Sequence, residues 1–273
     1  MEAGQTHRAR GWLRALVRSP AQLRDARGVD VARLAQHARA QPRLQTNLRQ
    51  IALDVTRLTN LAPQETSVVT RVLEAWVSLN AAVGYTQGMH WVCLQLFRVL
   101  CGNPKHAECD TLAALSVCVR MHSQFTPVHP GDALPTHASR ELSRAICDQV
   151  QHEYPRFPVD DLVDVLQIFV LRSFPVLFAN VLEDAPLRVV WDFVFAHAPR
   201  SACRHAAVAM VLAHARLFTY GEDVWQDYRI FDTLLGLMTV DRAREIVQCA
   251  QHLLRVESLC GKVPNDHRDV SRQ

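Results

Sequence analysis

Residues 83–100 read VGYTQGMHWVCLQLFRVL, and this stretch indicates the fold class most strongly. Its second half is almost continuously apolar, whereas its first half places two glycines, Gly84 and Gly88, around the polar Gln87. The pattern predicts a helix entrance, where backbone N–H groups are exposed and one side chain projects from a fixed base. Because the amphipathic residues 72–77 come just before it, we expect two helices joined by a short turn.

Helical periodicity continues along the chain. Apolar residues recur at intervals of three and four within residues 162–173, 187–195, 208–215 and 246–254, and a similar pattern covers residues 224–238. Proline and glycine separate these segments, which predicts a surface loop at residues 126–135, a helix beginning at Asp160–Asp161, and Pro186 in the first turn of the next helix. No alternating strand pattern stands out. We therefore predict an all-α chain of roughly a dozen helices with no significant β-sheet.

Composition narrows the class of protein. The 273 residues suffice for one large domain or two packed lobes, and only 10 are glycine. A formal net charge of +3 is too small to indicate a nucleic-acid partner. Twenty-eight of the 30 basic residues are arginine. A bias in codon composition explains this better than a phosphate-binding surface, so no arginine counts as functional for its type alone.

Cysteine, histidine and hydropathy patterns favour a reduced, metal-free protein. The eight cysteines form no C-x-x-C pair and the 13 histidines no H-E-x-x-H motif, so we expect neither a zinc site nor a disulfide framework. No apolar run reaches the length of a transmembrane segment. Residues 7–24 hold five arginines and no acid. They resemble a transit peptide in composition, but a divergent basic first helix is the preferred interpretation.

A polar pair accompanies an apolar helical stripe at residues 48, 51, 55 and 58. Asp54 and Arg57 lie three residues apart, so their side chains can meet on one helix. Taken alone, such a pair is usually a surface ion pair. Phosphate-binding motifs of the types G-x-x-x-x-G-K-[ST] and G-x-G-x-x-G are absent from the sequence, which predicts a chain that does not hold its own nucleotide.

Three motifs in order resemble those of the TBC-domain family of Rab GTPase-activating proteins. They are I-x-x-D-x-x-R at residues 51–57, V-G-Y-x-Q-G-M at 83–89, and L-R-x-x-W-D at 187–192, which follows an apolar stretch at 174–178. The resemblance implies a TBC fold of two helical lobes over residues 41–258. The N-terminal catalytic lobe extends to about residue 140. A divergent helical region at 1–40 precedes the domain, and a polar tail at 259–273 follows it.

The resemblance implies a mechanism in which the chain supplies two side chains in trans. Arg57 matches the arginine finger and Gln87 the glutamine finger of the family. The partner is a Rab-family small GTPase in its GTP state, which itself binds GTP and Mg²⁺, so no cofactor and no metal is expected in this chain. Such an activator is not itself an enzyme; it acts in membrane-traffic control from the cytoplasm, with peripheral recruitment to endomembranes through the partner.

The same resemblance gives supporting roles to other residues. Asp54 orients Arg57 or anchors its helix, and Tyr85 packs near the Gln87 turn. Gly84 and Gly88 permit close approach of the partner. The third motif supplies structure, with Trp191 in the core and with Arg188 and Asp192 in an internal polar network.

The sequence departs from the family pattern at four places. Leu58 stands where Thr is usual, His90 where Asn is common, and Ser173 where Trp is preferred. Residues 1–44 lack the family's opening G-x-P-x-x-x-R…W pattern.

One alternative function is a catalytically inactive TBC-fold scaffold that binds a Rab or an adaptor. The other is a generic α-helical interaction domain.

Overall fold

The computed structural model describes residues 3–17, 19–58, 61–125, 136–153, 155, 162–197, 199–218 and 228–259. These residues form thirteen α-helices and one 3-10 turn, Pro42–Leu44, and contain no strand, so the all-α prediction is confirmed. The helices are α1 (Ala3–Leu16), α2 (Pro20–Arg27), α3 (Val31–Arg39), α4 (Gln45–Thr56), α5 (Pro63–Leu79), α6 (Met89–Leu100), α7 (Ala107–Phe125), α8 (Thr136–Glu153), α9 (Leu162–Ser173), α10 (Asp184–Ala196), α11 (Pro199–Phe218), α12 (Tyr228–Gly236) and α13 (Val240–Leu259).

Helix α5 is the centre of the N-terminal half. It begins at Pro63, a residue that suits the first helical position because its missing N–H needs no partner there. Eight consecutive or near-consecutive positions between Val68 and Val77 are buried, because α3, α4, α6 and α7 all pack against it. Helix α6 is buried more completely, at ten of its twelve positions. A helix that is apolar around its circumference belongs inside a protein, and these two hold the turn between them in place.

The C-terminal half is organised around α10, α11 and α13. Helix α11 packs on α8 and α13, while α10 packs on α11 and α13. Pro186 lies in the first turn of α10, as predicted. The pattern at residues 224–238 gives a shorter helix than expected, because α12 ends at Gly236 and Met238 lies beyond it. Val224, the loop at 126–135, Asp160–Asp161 and the tail at 261–273 lie outside the described residues.

Helix α1 joins the two halves. It packs on α6 and α7 on one side and on α10 on the other, and it buries Trp12 and Leu16 in the common core. A second link runs from α6 to α10, where Arg98 donates to Asp184 at 2.6 Å. Within residues 7–24, residues 7–16 and 20–24 are therefore helical, which is consistent with the preferred interpretation of a basic helical segment.

Several expected features can be compared with the described part of the chain. Its seven cysteines, all but Cys260, carry free thiols. No group of three or more His, Cys, Asp or Glu side chains within it is arranged to hold a metal ion. None of its helices combines the length and hydropathy needed to cross a membrane.

Candidate functional site

Asp54 anchors the site from the last turn of α4. Its carboxylate is almost completely buried, and a buried carboxylate needs hydrogen-bond donors to offset its lost hydration. Three side chains supply them: Arg57 Nη1 and Gln50 Nε2 each donate to Oδ1 at 3.0 Å. The Tyr85 hydroxyl donates to Oδ2, also at 3.0 Å. The carboxylate thus joins α4 to the turn that precedes α6.

Arg57 lies where α4 ends. Its backbone N–H donates to the carbonyl oxygen of Asp54 at 3.2 Å, and a cation at this end of a helix is favoured by the helix dipole. The side chain is 64% exposed although one guanidinium nitrogen is held by Asp54. The remaining guanidinium N–H groups therefore face solvent from an oriented base.

Tyr85 and His90 extend the network. The Tyr85 hydroxyl lies 2.8 Å from His90 Nδ1. Because the hydroxyl hydrogen is directed to Asp54, which can only accept, we assign the Nδ1 hydrogen to His90, so that His90 donates to Tyr85. Burial lowers the pKa of His90 to about 4 and raises the pKa of Tyr85 well above its usual range, the nearby Asp54 adding to the rise. A neutral histidine and a neutral tyrosine thus complete a directed chain to Asp54.

Gln87 occupies the tight turn between α5 and α6. The turn closes where the N–H of Met89 donates to the carbonyl oxygen of Thr86 at 3.2 Å. The N–H of Tyr85 donates to Asn47 Oδ1 at 2.7 Å, which ties the turn to α4. Gln87 itself is exposed. Its backbone is therefore fixed while its carboxamide projects beside the N-terminus of α6.

The two glycines of this turn are required by contacts within the chain. Gly84 and Gly88 have φ values of +70° and +101°, a region that other residues rarely adopt. A Cβ atom on Gly88 would lie 2.3 Å from Val176 Cγ1, and one on Gly84 would lie 2.9 Å from Asn47 Oδ1. The resemblance implies close approach of a partner here, but the contacts that exclude a side chain lie within the chain.

A strained segment supports the Gln87 turn from the C-terminal half. Leu177 and Phe178 have φ values of +53° and +66°, which is unusual for large side chains and costs about 1–2 kcal/mol per residue. The indole N–H of Trp191 donates to the carbonyl oxygen of Leu177 at 2.7 Å, and the Trp191 ring is fully buried. Since Val176 packs under Gly88, Trp191 supports the turn through this segment.

The remaining residues of the third motif do not form the internal network that we predicted. Asp192 is exposed on α10 and accepts from α1, from Trp12 Nε1 at 2.7 Å and from Arg8 Nε at 3.1 Å. Arg188 lies one turn away and approaches Asp184 at 3.7 Å. The prediction is wrong for Asp192, which bonds to α1 on an exposed face. Arg188 approaches an acid of its own helix, Asp184, which also accepts from Arg98 and Gln95 of α6. The placement of Trp191 in the core is confirmed.

The site contains residues that the sequence motifs did not indicate. Asn47 and Gln50 lie on α4 two turns and one turn before Asp54, on positions compatible with the same helix face. Helical spacing could have suggested them as neighbours of Asp54. Nothing in the sequence indicated that Val176 reaches Gly88, because that contact depends on how the two halves pack.

The assembled site presents two exposed polar groups on one rigid base. The Asp54–Tyr85 hydrogen bond connects the arginine at the end of α4 to the turn that bears Gln87. Such a surface can offer a guanidinium and a carboxamide to an anionic group of another molecule.

Comparison with known proteins gives the class to which this helical domain belongs. The family model of the Rab-GTPase-TBC domain matches residues 5–218. The chain therefore belongs to the Rab-GTPase-TBC domain family, and the predicted family is confirmed. The match includes α1–α3, within the region 1–40 that we placed before the domain, and it ends at α11; the boundaries at residues 40 and 258 stay predictions.

Solved structures show the same fold at low sequence identity. The TBC domain of a flagellar RabGAP from Chlamydomonas is 16% identical, with a TM-score of 0.62 over 90% of this chain and 79% of that one. The Ypt/Rab-GAP domain of Gyp1p is 15% identical, with a TM-score of 0.64 over 94% and 93% of the two chains. A comparison with curated protein sequences gave no match.

Proposed function

We propose that this chain accelerates GTP hydrolysis by a Rab-type small GTPase, supplying Arg57 and Gln87 in trans. Membership of the Rab-GTPase-TBC family supports the class of activity. The observation that carries the assignment to residues is the Asp54 carboxylate, which holds the Arg57 guanidinium on one oxygen and the Tyr85 hydroxyl on the other, each at 3.0 Å. One buried group thereby contacts both Arg57 and the turn that bears Gln87, which supports the proposal.

Arg57 would stabilise negative charge that develops on the phosphate oxygens. A guanidinium inserted at the transferring phosphoryl group accelerates GTP hydrolysis by roughly 10³–10⁵-fold in GTPases generally. The N–H groups of Arg57 that do not contact Asp54 are free to reach such a group, since the side chain is largely exposed. Asp54 holds the guanidinium before the partner arrives, so less side-chain freedom is lost on binding.

Gln87 would align the attacking water. A carboxamide can accept a hydrogen bond from water through its oxygen and donate to a phosphate oxygen through its nitrogen. Its position beside the N-terminus of α6 adds favourable partial charge near the partner's phosphates. In this scheme GTP and Mg²⁺ belong to the partner, and this chain binds neither one by itself.

His90 and Tyr85 would act as positioning residues. The chain from His90 through Tyr85 to Asp54 has one hydrogen-bond direction when His90 is neutral, and that direction leaves the carboxylate charged and accepting. The family commonly has Asn at this position, and in this chain His90 takes its place as the donor to Tyr85. We further infer that the protein acts from the cytoplasm on endomembranes to which the partner recruits it.

A hydrolysis screen against a panel of GTP-loaded Rab proteins tests the proposal. We expect at least one Rab whose hydrolysis rate rises strongly with the wild-type chain and not with Arg57→Ala or Gln87→Ala. Binding of a GTP-state Rab without any rise in hydrolysis would contradict the proposal and favour the inactive scaffold. Failure to bind any GTP-state Rab would favour the generic interaction domain.

A further inference from the structure

A second concave surface lies away from the Arg57–Gln87 site, between α1, α2 and the turn after α6. This cleft has a volume of about 860 Å³, within the range of about 300–1,000 Å³ that is common for small-molecule sites. It follows α1 from Thr6 to Val17, a length of about 16 Å. Apolar side chains form much of its lining: Ala9, Leu13, Val17, Leu23 and Leu100.

The charged groups of the cleft are unbalanced. Arg10 and Arg14 line it one helical turn apart, and neither pairs with an acid among the residues that the structure describes. Arg27 also lines it, with its guanidinium held by both oxygens of Asp110 at 2.7 and 2.8 Å. Among the described residues of the lining, Asp110 is the one acid. The cleft therefore has a net positive charge at an apolar wall.

The opposite face of α1 has no comparable excess of unpaired positive charge among the residues that the structure describes. Arg8, on the side toward α10, is neutralised by Asp192. The N-terminus of α2, capped by Ser19, opens onto the cleft and adds positive partial charge to it. Only one acid, Asp25, occurs in residues 3–27, and it does not line the cleft.

We propose that this cleft binds an anionic phospholipid, with its phosphate group between Arg10 and Arg14 and an acyl chain along the apolar wall. Two guanidinium groups a helical turn apart suit the several acceptor oxygens of one phosphate. The ligand must be amphiphilic because the cationic rim and the apolar wall belong to one cavity. A bounded concave shape suits a single lipid molecule better than a flat membrane surface.

Calorimetric titration with dioctanoyl phosphatidic acid, kept below its micelle concentration, tests the proposal on the full chain. We expect saturable one-to-one binding. Dioctanoyl phosphatidylcholine, which has the same tails but no net charge, should bind at least about tenfold more weakly, and glycerol 3-phosphate, which lacks the tails, should do so as well. Equal binding of glycerol 3-phosphate would overturn the proposal, because it would indicate a simple phosphate site.

Two variants and a matched control distinguish binding in the cleft from non-specific attraction of the lipid to a basic protein. The double substitution Arg10→Ala/Arg14→Ala should weaken binding at least about tenfold. Leu23→Trp, on a helix with no buried residue, should fill the cleft and weaken binding with no change of charge. The pair Arg24→Ala/Arg33→Ala removes the same charge from exposed positions outside the lining and should change affinity less than about twofold.

Several outcomes would overturn the assignment. Equal loss of binding in both arginine pairs would indicate non-specific attraction. Wild-type affinity in the Arg10→Ala/Arg14→Ala variant, or no binding of the lipid by the wild type, would also contradict it. Tighter binding of an acidic amphipathic helical peptide than of the lipid would assign the cleft to a protein partner instead.

Discussion

The two proposed fingers are held in opposite ways. Arg57 is fixed near its tip, because a buried carboxylate grips its guanidinium while the rest of the side chain is exposed. Gln87 is fixed at its base, because Gly84, Gly88 and Asn47 set the backbone of its turn and the side chain projects freely. A long flexible arginine needs an anchor at its end, whereas a short glutamine needs only a rigid turn.

The difference separates two sets of supporting residues. Changes at Asp54 or Tyr85 should act on the orientation of a charged group. Changes at Gly88 or Val176 should act on the backbone under Gln87 and on the packing of the two halves. Activity and stability should therefore respond differently at the two fingers.

The largest effect is expected at the tip of Arg57. Arg57→Ala should reduce stimulated GTP hydrolysis by about 10³-fold or more, because the developing phosphate charge loses its guanidinium. Arg57→Lys should fail as well, since an ammonium lacks the planar fork. Single-turnover hydrolysis with the responsive Rab measures both.

Arg49→Ala is the matched control, because this exposed arginine lies on the same helix. It should stimulate GTP hydrolysis by the Rab as strongly as the wild type. Arg57→Ala should lower the free energy of unfolding in urea by about 1–3 kcal/mol, because the buried Asp54 carboxylate loses its cationic donor. A much larger loss of stability in that variant would mean that Arg57 mainly supports the fold.

The next largest effect is expected at the base of Gln87. Gly88→Ala should lower the free energy of unfolding by about 2 kcal/mol or more, because the new Cβ meets Val176 and the backbone has φ of +101°. Stimulated hydrolysis should fall with it as the turn shifts. Thermal and urea unfolding, together with the hydrolysis rate, check this pair of effects.

Gly11→Ala gives the comparison for Gly88→Ala. Gly11 is within α1 and has no atom within 4 Å of an added Cβ. Alanine there should stabilise the chain by about 0.5–1 kcal/mol. If both substitutions had the same sign, the contact with Val176 would not be the cause of the effect at Gly88.

A smaller effect is expected at the link between the fingers. Tyr85→Phe removes one hydroxyl and leaves Asp54 Oδ2 and His90 Nδ1 without that partner, so we expect a loss of about 1–3 kcal/mol in unfolding free energy. Stimulated hydrolysis should fall about tenfold with little change in affinity for the Rab, because Arg57 is less well oriented. An affinity loss without a rate loss would place Tyr85 in partner binding.

The smallest effect at neutral pH is expected from the titration of His90, which develops only in acid. Burial lowers the pKa of His90 to about 4 in the folded chain. In the unfolded chain this histidine takes up a proton near pH 6.5, so between these two pH values only the unfolded chain is protonated there. Stability linked to His90 is therefore lost as the pH falls from 6.5 to 4, by about 3 kcal/mol at most. His90→Asn does not titrate there, so urea unfolding between pH 7 and pH 4 should show a shallower loss; parallel curves would contradict the buried neutral histidine.

The sequence allowed much of the fold and the Asp54–Arg57 part of the site to be predicted, because both depend on local spacing. Three residues along α4 bring Asp54 and Arg57 together, and the apolar length of residues 91–100 requires a buried helix. The family motifs supplied Gln87. These are contacts within one helix or one turn, where spacing is informative.

The sequence did not predict the contacts between distant segments. The pairing of Asp192 with α1 and the packing of Val176 under Gly88 depend on how the two halves meet. The residues in these contacts are far apart in the chain, and helical periodicity gives information only about neighbours on the same helix. The wrong prediction for Asp192 has this cause, since its partners Trp12 and Arg8 lie on α1.

The most direct test of the central proposal is the single-turnover rate of GTP hydrolysis by the responsive Rab at saturating amounts of this chain. It should be measured for the wild type, Arg57→Ala and Gln87→Ala, with binding of the Rab loaded with a non-hydrolysable GTP analogue measured in parallel. We predict that each variant loses at least about 10²-fold in rate while its affinity changes by less than about threefold. Wild-type stimulation by either variant would contradict the assignment of that residue as a catalytic finger.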